Sequence, residues 1–435
     1  MDSSNSNGYD IDKVKNVVDT VIEKLHTQLR EVNRQIWSNP ELAYQEHHAH
    51  DTICMFLENQ GFGVTRHAYG LETSFEARSS GGASSEEGPL INFNAEYDAL
   101  PDIGHACGHN LIATSSIVAF LALSAVLKEF GIPGRTQLLG TPAEENGGGK
   151  AKLIENGAYK GVDISLMAHG GPSLMGDGIA GVLFNARKQI HVEFTGKNAH
   201  AGGNPWEGIN ALDALVAAYN NISVLRQQIL PEERIHCAFL DTPKVANVIP
   251  SHTKAYWQVR SPTLKGLNSL VTRVRNCIDA AALATGCGVE MVEYATPIIS
   301  TLLGDLYLLG VFFYCRDSLY TDIKLNETLC GQYQAHMSRY DRNITKSSDK
   351  VMTASSDIGN VSYIVPTLHS IFTIRAPDES YPHHPSFAAA AGTETAHEEA
   401  LVVGKALALT GLDMATNKKL LQQAREQWKQ EIRDN

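Results

Sequence analysis

The sequence has little of what marks a nucleic-acid-binding or membrane-spanning protein. Its 36 Lys and Arg residues stand against 48 Asp and Glu residues, and the formal net charge of −12 offers no basic surface for a phosphate backbone. The longest apolar run, residues 117–127, is shorter than the roughly 20 residues that cross a bilayer. No internal repeat or low-complexity tract stands out. We therefore expect a globular protein whose partner is a small molecule, with no nucleic acid and no membrane.

Cysteine is also sparse, and no secretory leader is visible. The seven cysteines are an odd number at irregular spacing, which argues against a disulfide framework. Residues 1–8 are polar and rich in Ser and Asn, and no basic segment leads into an apolar one. We therefore expect buried free thiols and a cytoplasmic protein.

The length of 435 residues exceeds the roughly 250–300 at which one hydrophobic core stops growing, so we expect two domains. Apolar strands alternate with helical segments in the first part of the chain, which predicts an α/β domain with a mixed sheet. The predicted strands are 90–93, 136–139 and 164–167, and the predicted helices are 11–36, 111–130 and 150–157.

The pattern changes near Arg187, where shorter strands and two helices predict a compact α+β insertion. Its predicted strands are 189–194, 236–239 and 254–259, and its predicted helices are 208–230 and 264–284. We predict a catalytic domain at 1–186 and 298–435, with the insertion at 187–297. Residues 314–350 lack clear periodicity, and 388–411 read as one closing helix.

The most informative segment is Gly104–Asn110, in which His105, Cys107 and His109 lie between a predicted strand and a predicted helix. Imidazole and thiolate bind zinc-like metals, and glycine lets the backbone turn tightly enough for alternate side chains to converge. The alternative is a core histidine beside an inert buried cysteine.

Acidic residues follow two predicted strands of the same domain. Glu96 and Asp98 come after the first, and we expect Asp98 to orient a ligand histidine through a hydrogen bond. Glu144 and Glu145 come after the second; because adjacent side chains point in different directions, one can bind a metal while the other acts as general base. His169 follows a third strand. A solvated acidic turn or a core histidine would explain any one of these features, but not their joint occurrence at strand ends.

These motifs resemble the aminoacylase and glutamate-carboxypeptidase family of two-metal peptidases, in the branch of hippurate hydrolases and auxin-conjugate amidohydrolases, with Xaa-Arg dipeptidase-like proteins nearest. The resemblance implies a metallopeptidase catalytic domain with a mixed sheet flanked by helices, a ferredoxin-like lid and dimerisation domain, and a homodimer. The matching segments are Asn39–Leu42, Tyr97–Pro101, Gly104–Asn110, Thr141–Glu145, Asn198–Ala201, Val245–Pro250 and His383–Phe387.

The resemblance also implies two divalent cations, zinc or manganese, with Glu144 as the general base. His383 is preferred to His384 because the family's late histidine stands four residues before an aromatic residue, here Phe387. The implied ligands are Cys107, His109, Glu145, His169 and His383.

In the insertion, the resemblance implies that His200 stabilises the oxyanion and that Asn247 and Arg260 hold the substrate. The planar guanidinium of Arg260 would pair with a carboxylate; its alternative is a surface salt bridge.

The function we expect is hydrolysis of the amide bond of a dipeptide or an N-acyl amino acid by metal-activated water. Two alternatives stay open: an enzyme that forms amides or transfers acyl groups at the same metal site, and a metal-binding protein of this fold without catalysis. The chain departs from the wider family at Glu96, Asn110 and Ser356–Asp357, which bears on the substrate range more than on metal binding.

Overall fold

The computed structural model describes residues 10–81, 88–173, 176–292, 319–377 and 380–433. The chain divides into two compact units. The first unit comprises 1–183, 323–350 and 356–435, and the second comprises 184–322 and 351–355. The domain boundaries drawn from the sequence stay predictions.

The described residues form helices and strands along nearly the whole chain. The helices are α1 (Ile11–Ser38), α2 (His47–Asn59), α3 (His109–Glu129), α4 (Gly149–Glu155), α5 (Ala211–Leu225), α6 (Leu264–Thr285), α7 (Glu327–Ser338), α8 (Ile358–Ser362), α9 (Pro385–Ala391), α10 (Glu394–Thr416) and α11 (Lys418–Arg433). The strands are β1 (Val64–Arg66), β2 (Phe75–Ser80), β3 (Leu90–Ala95), β4 (Arg135–Gly140), β5 (Ile164–Gly171), β6 (Gly178–Phe184), β7 (Ala186–Thr195), β8 (Ala199–His200), β9 (Arg234–Asp241), β10 (Val248–Ile249), β11 (His252–Ser261), β12 (Gly288–Val292), β13 (Thr345–Met352) and β14 (Thr367–Thr373).

The first unit is built on an eight-stranded mixed sheet in the order β1-β2-β4-β3-β5-β14-β6-β13. Its central strands β4, β3, β5 and β14 are parallel, and every residue of β3 is buried, as expected for a sheet covered on both faces. The carboxyl ends of parallel strands meet at one edge of the sheet. The segments that follow β3 and β4 therefore lie beside the end of β5.

Helix α3 forms the centre of this unit's core. It contacts α1, α10 and the sheet, and its residues are buried along almost its whole length. Helix α3 is long and apolar enough to cross a membrane, but 94% of its most apolar stretch is buried inside the unit. Burial on all sides explains why it lacks the amphipathic stripe that α1 shows.

The second unit has the strand and helix order βαββαβ, made by β7, α5, β9, β11, α6 and β12. The four strands form an antiparallel sheet in the order β12-β7-β11-β9. Residues of β11 alternate between buried and more exposed, so one face of the sheet holds a core with Trp257 and Phe194 that α5 and α6 cover. The sequence pattern predicts this α+β insertion, and the family resemblance implies its ferredoxin-like fold.

The structure differs from the sequence analysis near the end of the chain. The single closing helix predicted at 388–411 is wrong: α9 ends before Gly392, and the Thr393 hydroxyl caps a new helix, α10, by accepting from Ala396 N–H. A side chain on Gly392 would overlap the Trp37 ring, at 2.3 Å, so the break packs closely on α1. Helix α11, which the sequence analysis does not predict, follows α10.

The stretch without clear periodicity contains α7 and β13, which were also not predicted; residues 314–318 of it lie outside the described part. The cysteines within the described residues are free thiols: Cys54, Cys107, Cys287 and Cys330 are buried, as expected, whereas Cys237 and Cys277 are only partly buried.

Candidate functional site

In the first unit, the predicted ligands gather at the carboxyl edge of the sheet. Asp98 follows β3, the pair Glu144 and Glu145 follows β4, and His169 lies near the end of β5. Cys107 enters from the loop that leads into α3. Gly108 next to it has φ 80°, a left-handed conformation that favours glycine and turns the chain directly into the helix.

Cys107, His109 and His169 form the first group of donors. Their ligand atoms all lie within 4.8 Å of one another, and Cys107 Sγ is 3.3 Å from His169 Nε2. His169 Nδ1 lies 2.6 Å from the carbonyl oxygen of Gly170, to which it donates, so Nε2 keeps its lone pair for a ligand role. This group therefore has the donor types and the tautomer that a transition metal needs.

Cys107 also belongs to a second group, with Glu145 and His383. His383 Nε2 is 3.4 Å from Glu145 Oε2. His383 has φ 71°, a strained conformation for a non-glycine residue, and its N–H donates to the carbonyl of Ala106 at 2.8 Å. His384 instead caps α9, where its Nδ1 accepts from the backbone N–H of Ser386. The structure thus brings His383, and not His384, to the donors.

Asp98 contacts one residue of each donor group through its two carboxylate oxygens. Its Oδ1 lies 3.0 Å from His109 Nδ1, and its Oδ2 accepts from the backbone N–H of Glu145 at 2.9 Å. The first contact fixes the His109 ring with Nε2 directed at the donors, and the second fixes the chain that carries Glu145.

Burial and neighbouring charges set the acid–base properties of the cluster. Burial raises the pKa of Glu145, but the hydrogen bond with His383 and the charge of His109 outweigh it and lower that pKa to about 2. Burial raises the pKa of Glu144 well above its usual value, and the charges of Glu96 and Glu145 raise it further. The two adjacent carboxyl groups are therefore driven in opposite directions, as different roles require.

Unsatisfied polar atoms test whether a metal fits this cluster. His109 Nε2, Glu145 Oε1 and Glu96 Oε2 are buried without a hydrogen-bond partner in the described part of the chain. Such atoms are costly unless something pairs with them, and bound cations would satisfy all three. Thiolate, imidazole and carboxylate donors suit zinc or manganese. The residues present therefore fit a two-metal centre in which Cys107 is common to both groups.

The sequence analysis missed a buried ion network beside these donors. Lys150 Nζ donates to Glu96 Oε1 at 2.5 Å and to Asp357 Oδ1 at 2.6 Å, and all three side chains are fully buried. Burial lowers the pKa of Lys150, but the charges of Asp357 and Glu96 outweigh it and raise that pKa, so the amine stays charged. A positive charge in the first turn of a helix is unfavourable because it opposes the helix dipole. The position of Lys150 at the start of a predicted helix was therefore the sequence signal that this lysine has acidic partners.

In the second unit, the structure brings His200 and Asn247 together. Strand β8 pairs with β10 so that His200 lies opposite Val248, and the carbonyl of Asn247 accepts from Ala201 N–H at 3.0 Å. His200 Nδ1 accepts from the backbone N–H groups of Gly202 and Gly203, at 3.1 and 3.0 Å. A neutral His200 must therefore carry its proton on Nε2, which makes it a hydrogen-bond donor there.

Arg260 is held in another part of the second unit, near the end of β11. Its Nη1 donates to the carbonyl of Thr353 at 3.2 Å and to Ser355 Oγ at 3.0 Å. Both contacts fix the position of the guanidinium.

The chain resembles known hydrolases over nearly its full length. The family model of a peptidase dimerisation domain matches residues 186–285. The Xaa-Arg dipeptidase of Mus musculus is 37% identical over 425 residues, which cover 95% of this chain and 91% of that protein. One of the two p-aminobenzoyl-glutamate hydrolase subunits of Escherichia coli is 25% identical over 95% of this chain and 94% of that protein.

A solved structure with this fold is a dinuclear metal-binding peptidase of the M20 family from Bacillus subtilis, with a TM-score of 0.64 and 19% identity over 90% of this chain and 99% of that one. The buried donor groups, the mixed sheet and these relatives define a metal-dependent hydrolase of amide bonds with two divalent metals. The chain belongs to the M20 family of peptidases.

Proposed function

We propose that this protein is a dipeptidase that uses zinc or manganese and cleaves its substrate with Glu144 as the general base. The observation that carries the proposal is the buried donor cluster around Cys107. The 37% identity of the chain to the mouse Xaa-Arg dipeptidase supports a dipeptide as the substrate. The proposed ligands are Cys107, His109, Glu145, His169 and His383. Divalent ions on these donors would supply the charge that makes a bound water nucleophilic near neutral pH.

Glu144 takes the proton of the attacking water and passes it to the leaving amine. Three features support this role: Glu144 is adjacent to the proposed ligand Glu145, its Oε2 lies 3.8 Å from His109 Nε2, and its pKa is raised by burial and by neighbouring carboxylates. A carboxylate with a raised pKa accepts a proton more readily and holds it until the leaving group departs.

His200 donates from Nε2 to the oxyanion that forms on the scissile carbonyl. The two backbone N–H groups on its Nδ1 support this role, because they preset the donor tautomer and the ring orientation before the substrate binds. Asn247 and Arg260 hold the substrate, with Arg260 pairing with a carboxylate. The two contacts that fix the position of the guanidinium support that assignment.

The test is mass spectrometry of products after the metal-loaded protein has been incubated with a substrate panel. The panel contains Xaa-Arg dipeptides, dipeptides with neutral and acidic C-terminal residues, N-acyl amino acids and p-aminobenzoyl-glutamate. We expect cleavage of dipeptides that stops after treatment with a chelator and returns when zinc or manganese is added back. Cleavage of N-acyl amino acids alone would replace the dipeptide assignment, and a panel left intact by metal-loaded protein would contradict it.

We also propose that the second unit forms a homodimer through α5 and the edge strand β9. The matched dimerisation domain supports this, and so does an open sheet edge flanked by exposed apolar side chains. Phe239 and Leu240 of β9 are 44% and 51% exposed, and the ring of Phe239 packs edge-on against Tyr219 of α5 at 5.9 Å.

We expect Phe239→Glu to convert the dimer into a monomer, because a charge at the centre of an apolar contact is costly to desolvate. Light scattering on a sizing column measures the mass of each form. The matched control is Leu283→Glu, a change at an exposed leucine of α6 outside this surface, which should leave the dimer intact. A wild-type protein with the mass of one chain, or a Phe239→Glu variant that stays dimeric, would contradict the proposed surface.

A further inference from the structure

Glu96 is a buried carboxylate with one oxygen paired and the other directed at the metal-binding donors. It follows β3 and is fully buried. Its Oε1 accepts from Lys150 Nζ at 2.5 Å. Its Oε2 lies 3.5 Å from His109 Nε2 and has no hydrogen-bond partner in the described residues. The carboxylate is therefore only half satisfied by the protein.

A hydrogen bond does not explain the contact between Glu96 and His109. N–H···O bonds in proteins have donor–acceptor distances of roughly 2.7–3.2 Å, shorter than the 3.5 Å here. With a metal in place of a proton on Nε2, the His109 ring is neutral because its Nδ1–H faces Asp98, and Nε2 presents a lone pair. Nε2 and Glu96 Oε2 are then two buried acceptor atoms that face each other, and a cation between them satisfies both.

The spacing of these atoms is that of two ligands on one metal ion. Donors bound to one ion at about 2.0–2.2 Å, with the bond angles of tetrahedral or octahedral coordination, lie about 3–3.5 Å from each other. Glu96, His109 and Glu144 offer ligand atoms that all lie within 4.8 Å of one another, so Glu96 borders the same centre as the His109 donor.

We propose that Glu96 is a further ligand of the metal centre, on the His109 side, and that Lys150 is the positioning residue that holds it there. This rests on the metal centre of the proposed function and adds a ligand to it. Lys150 Nζ also donates to Asp357 Oδ1, and the backbone N–H of Lys150 donates to Asp357 Oδ2, so the ammonium is fixed from two sides. A sixth donor with a hard oxygen shifts the preference of this side of the centre from zinc towards manganese.

Metal affinity tests this inference without relying on turnover. Wild type, Glu96→Gln and Glu96→Asp are dialysed against graded free manganese and graded free zinc set by a competing chelator, and bound metal is counted by mass spectrometry. We expect two ions per wild-type chain and a loss of at least about tenfold in manganese affinity at one site in both variants, since even indirect partners of metal ligands affect affinity about 10- to 100-fold. Zinc affinity should fall less.

The two variants separate a ligand role from a charge role. Glu96→Gln keeps an oxygen that can accept from Lys150 but lacks the negative charge of a good ligand. Glu96→Asp keeps the charge but is one methylene shorter. The visible spectrum of the cobalt-substituted protein, which reports the number and type of ligands, should change in both variants.

The matched control is Glu46→Gln, the same substitution at another buried carboxylate of the first unit. Glu46 accepts from Thr73 Oγ1 at 2.7 Å and from Ala143 N–H at 2.9 Å, so both of its oxygens are occupied by the protein. Its metal affinity and cobalt spectrum should equal those of wild type.

Two outcomes would contradict the inference. If Glu96→Asp binds metal like wild type while Glu96→Gln does not, Glu96 acts through its charge alone and the ligand role is wrong. If both variants bind metal like wild type, Glu96 has no part in the centre. Neither outcome touches the proposed function, which fails separately if wild type binds fewer than two ions or cleaves no dipeptide.

Discussion

Replacing Glu144 with glutamine should lower kcat by roughly 10²- to 10⁴-fold, the range that a positioned general base contributes. Glutamine has nearly the same size and still accepts hydrogen bonds, but it cannot take the proton of the attacking water. Because the proposed ligand groups around Cys107 do not include Glu144, the variant should keep both metal ions. The experiment measures dipeptide turnover and bound metal on the same preparation.

The neighbouring residue supplies the control for this prediction. Glu145 lies with Cys107 and His383 in a donor group, so Glu145→Gln should lose metal as well as activity. The two variants differ by one position along the chain and carry the same chemical change. Loss of metal in Glu144→Gln would show that Glu144 is a metal ligand and not the general base. Glu144 could serve as a ligand because its carboxylate lies in a donor group with Glu96 and His109.

The amphipathic helices and the donor residues at the strand ends could be predicted from the sequence. Helix α1 was expected at 11–36 and runs Ile11–Ser38, and α6 was expected at 264–284 and runs Leu264–Thr285. In both, apolar residues recur at helical spacing because one face is buried and the other is in solvent. The donors could be predicted for a related reason, since residues placed after parallel strands are brought to one edge of the sheet.

Helix α7 could not be predicted, because it buries Thr328 and His336 together with apolar residues and its periodic signal is too weak to separate helix from loop. Helix α11 is strongly amphipathic, so its spacing of apolar residues was a signal that could have predicted it, although it buries only Leu421 and Ala424. The break after Gly392 depends on the approach of the Trp37 ring from a helix that is distant in sequence.

The ion network beside the metal centre also could not be predicted from the sequence, because its members are distant along the chain. The sequence analysis noted Glu96 and Asp357 as departures from the family, but Lys150 and Asp357 are 207 residues apart, and only the folded chain makes them partners. Similarly, the family's spacing favoured His383 over His384, whereas the structure supplies a physical reason, because the His384 ring is already used to cap α9.

Replacing Lys150 with methionine should destabilise the metal-free protein by about 3–5 kcal/mol, the usual cost of removing one member of a buried ionic group. The methionine side chain fills most of the space of the lysine stem, so the cost comes from leaving Glu96 and Asp357 buried without their shared cation. The free energy of unfolding is measured in urea with a chelator present, so that metal binding does not contribute.

The matched control is Lys152→Met, two residues further along α4. Lys152 lies over the ring of Tyr44 at 4.1 Å and is only partly buried, so the same substitution there should cost roughly 0.5–1 kcal/mol. Equal stability of the two variants would mean that the buried carboxyl groups are neutral in the native protein and that Lys150 does not balance their charge. A large difference between them, with reduced metal affinity in Lys150→Met alone, would mean that the ammonium group supports the fold and positions Glu96 at the metal centre.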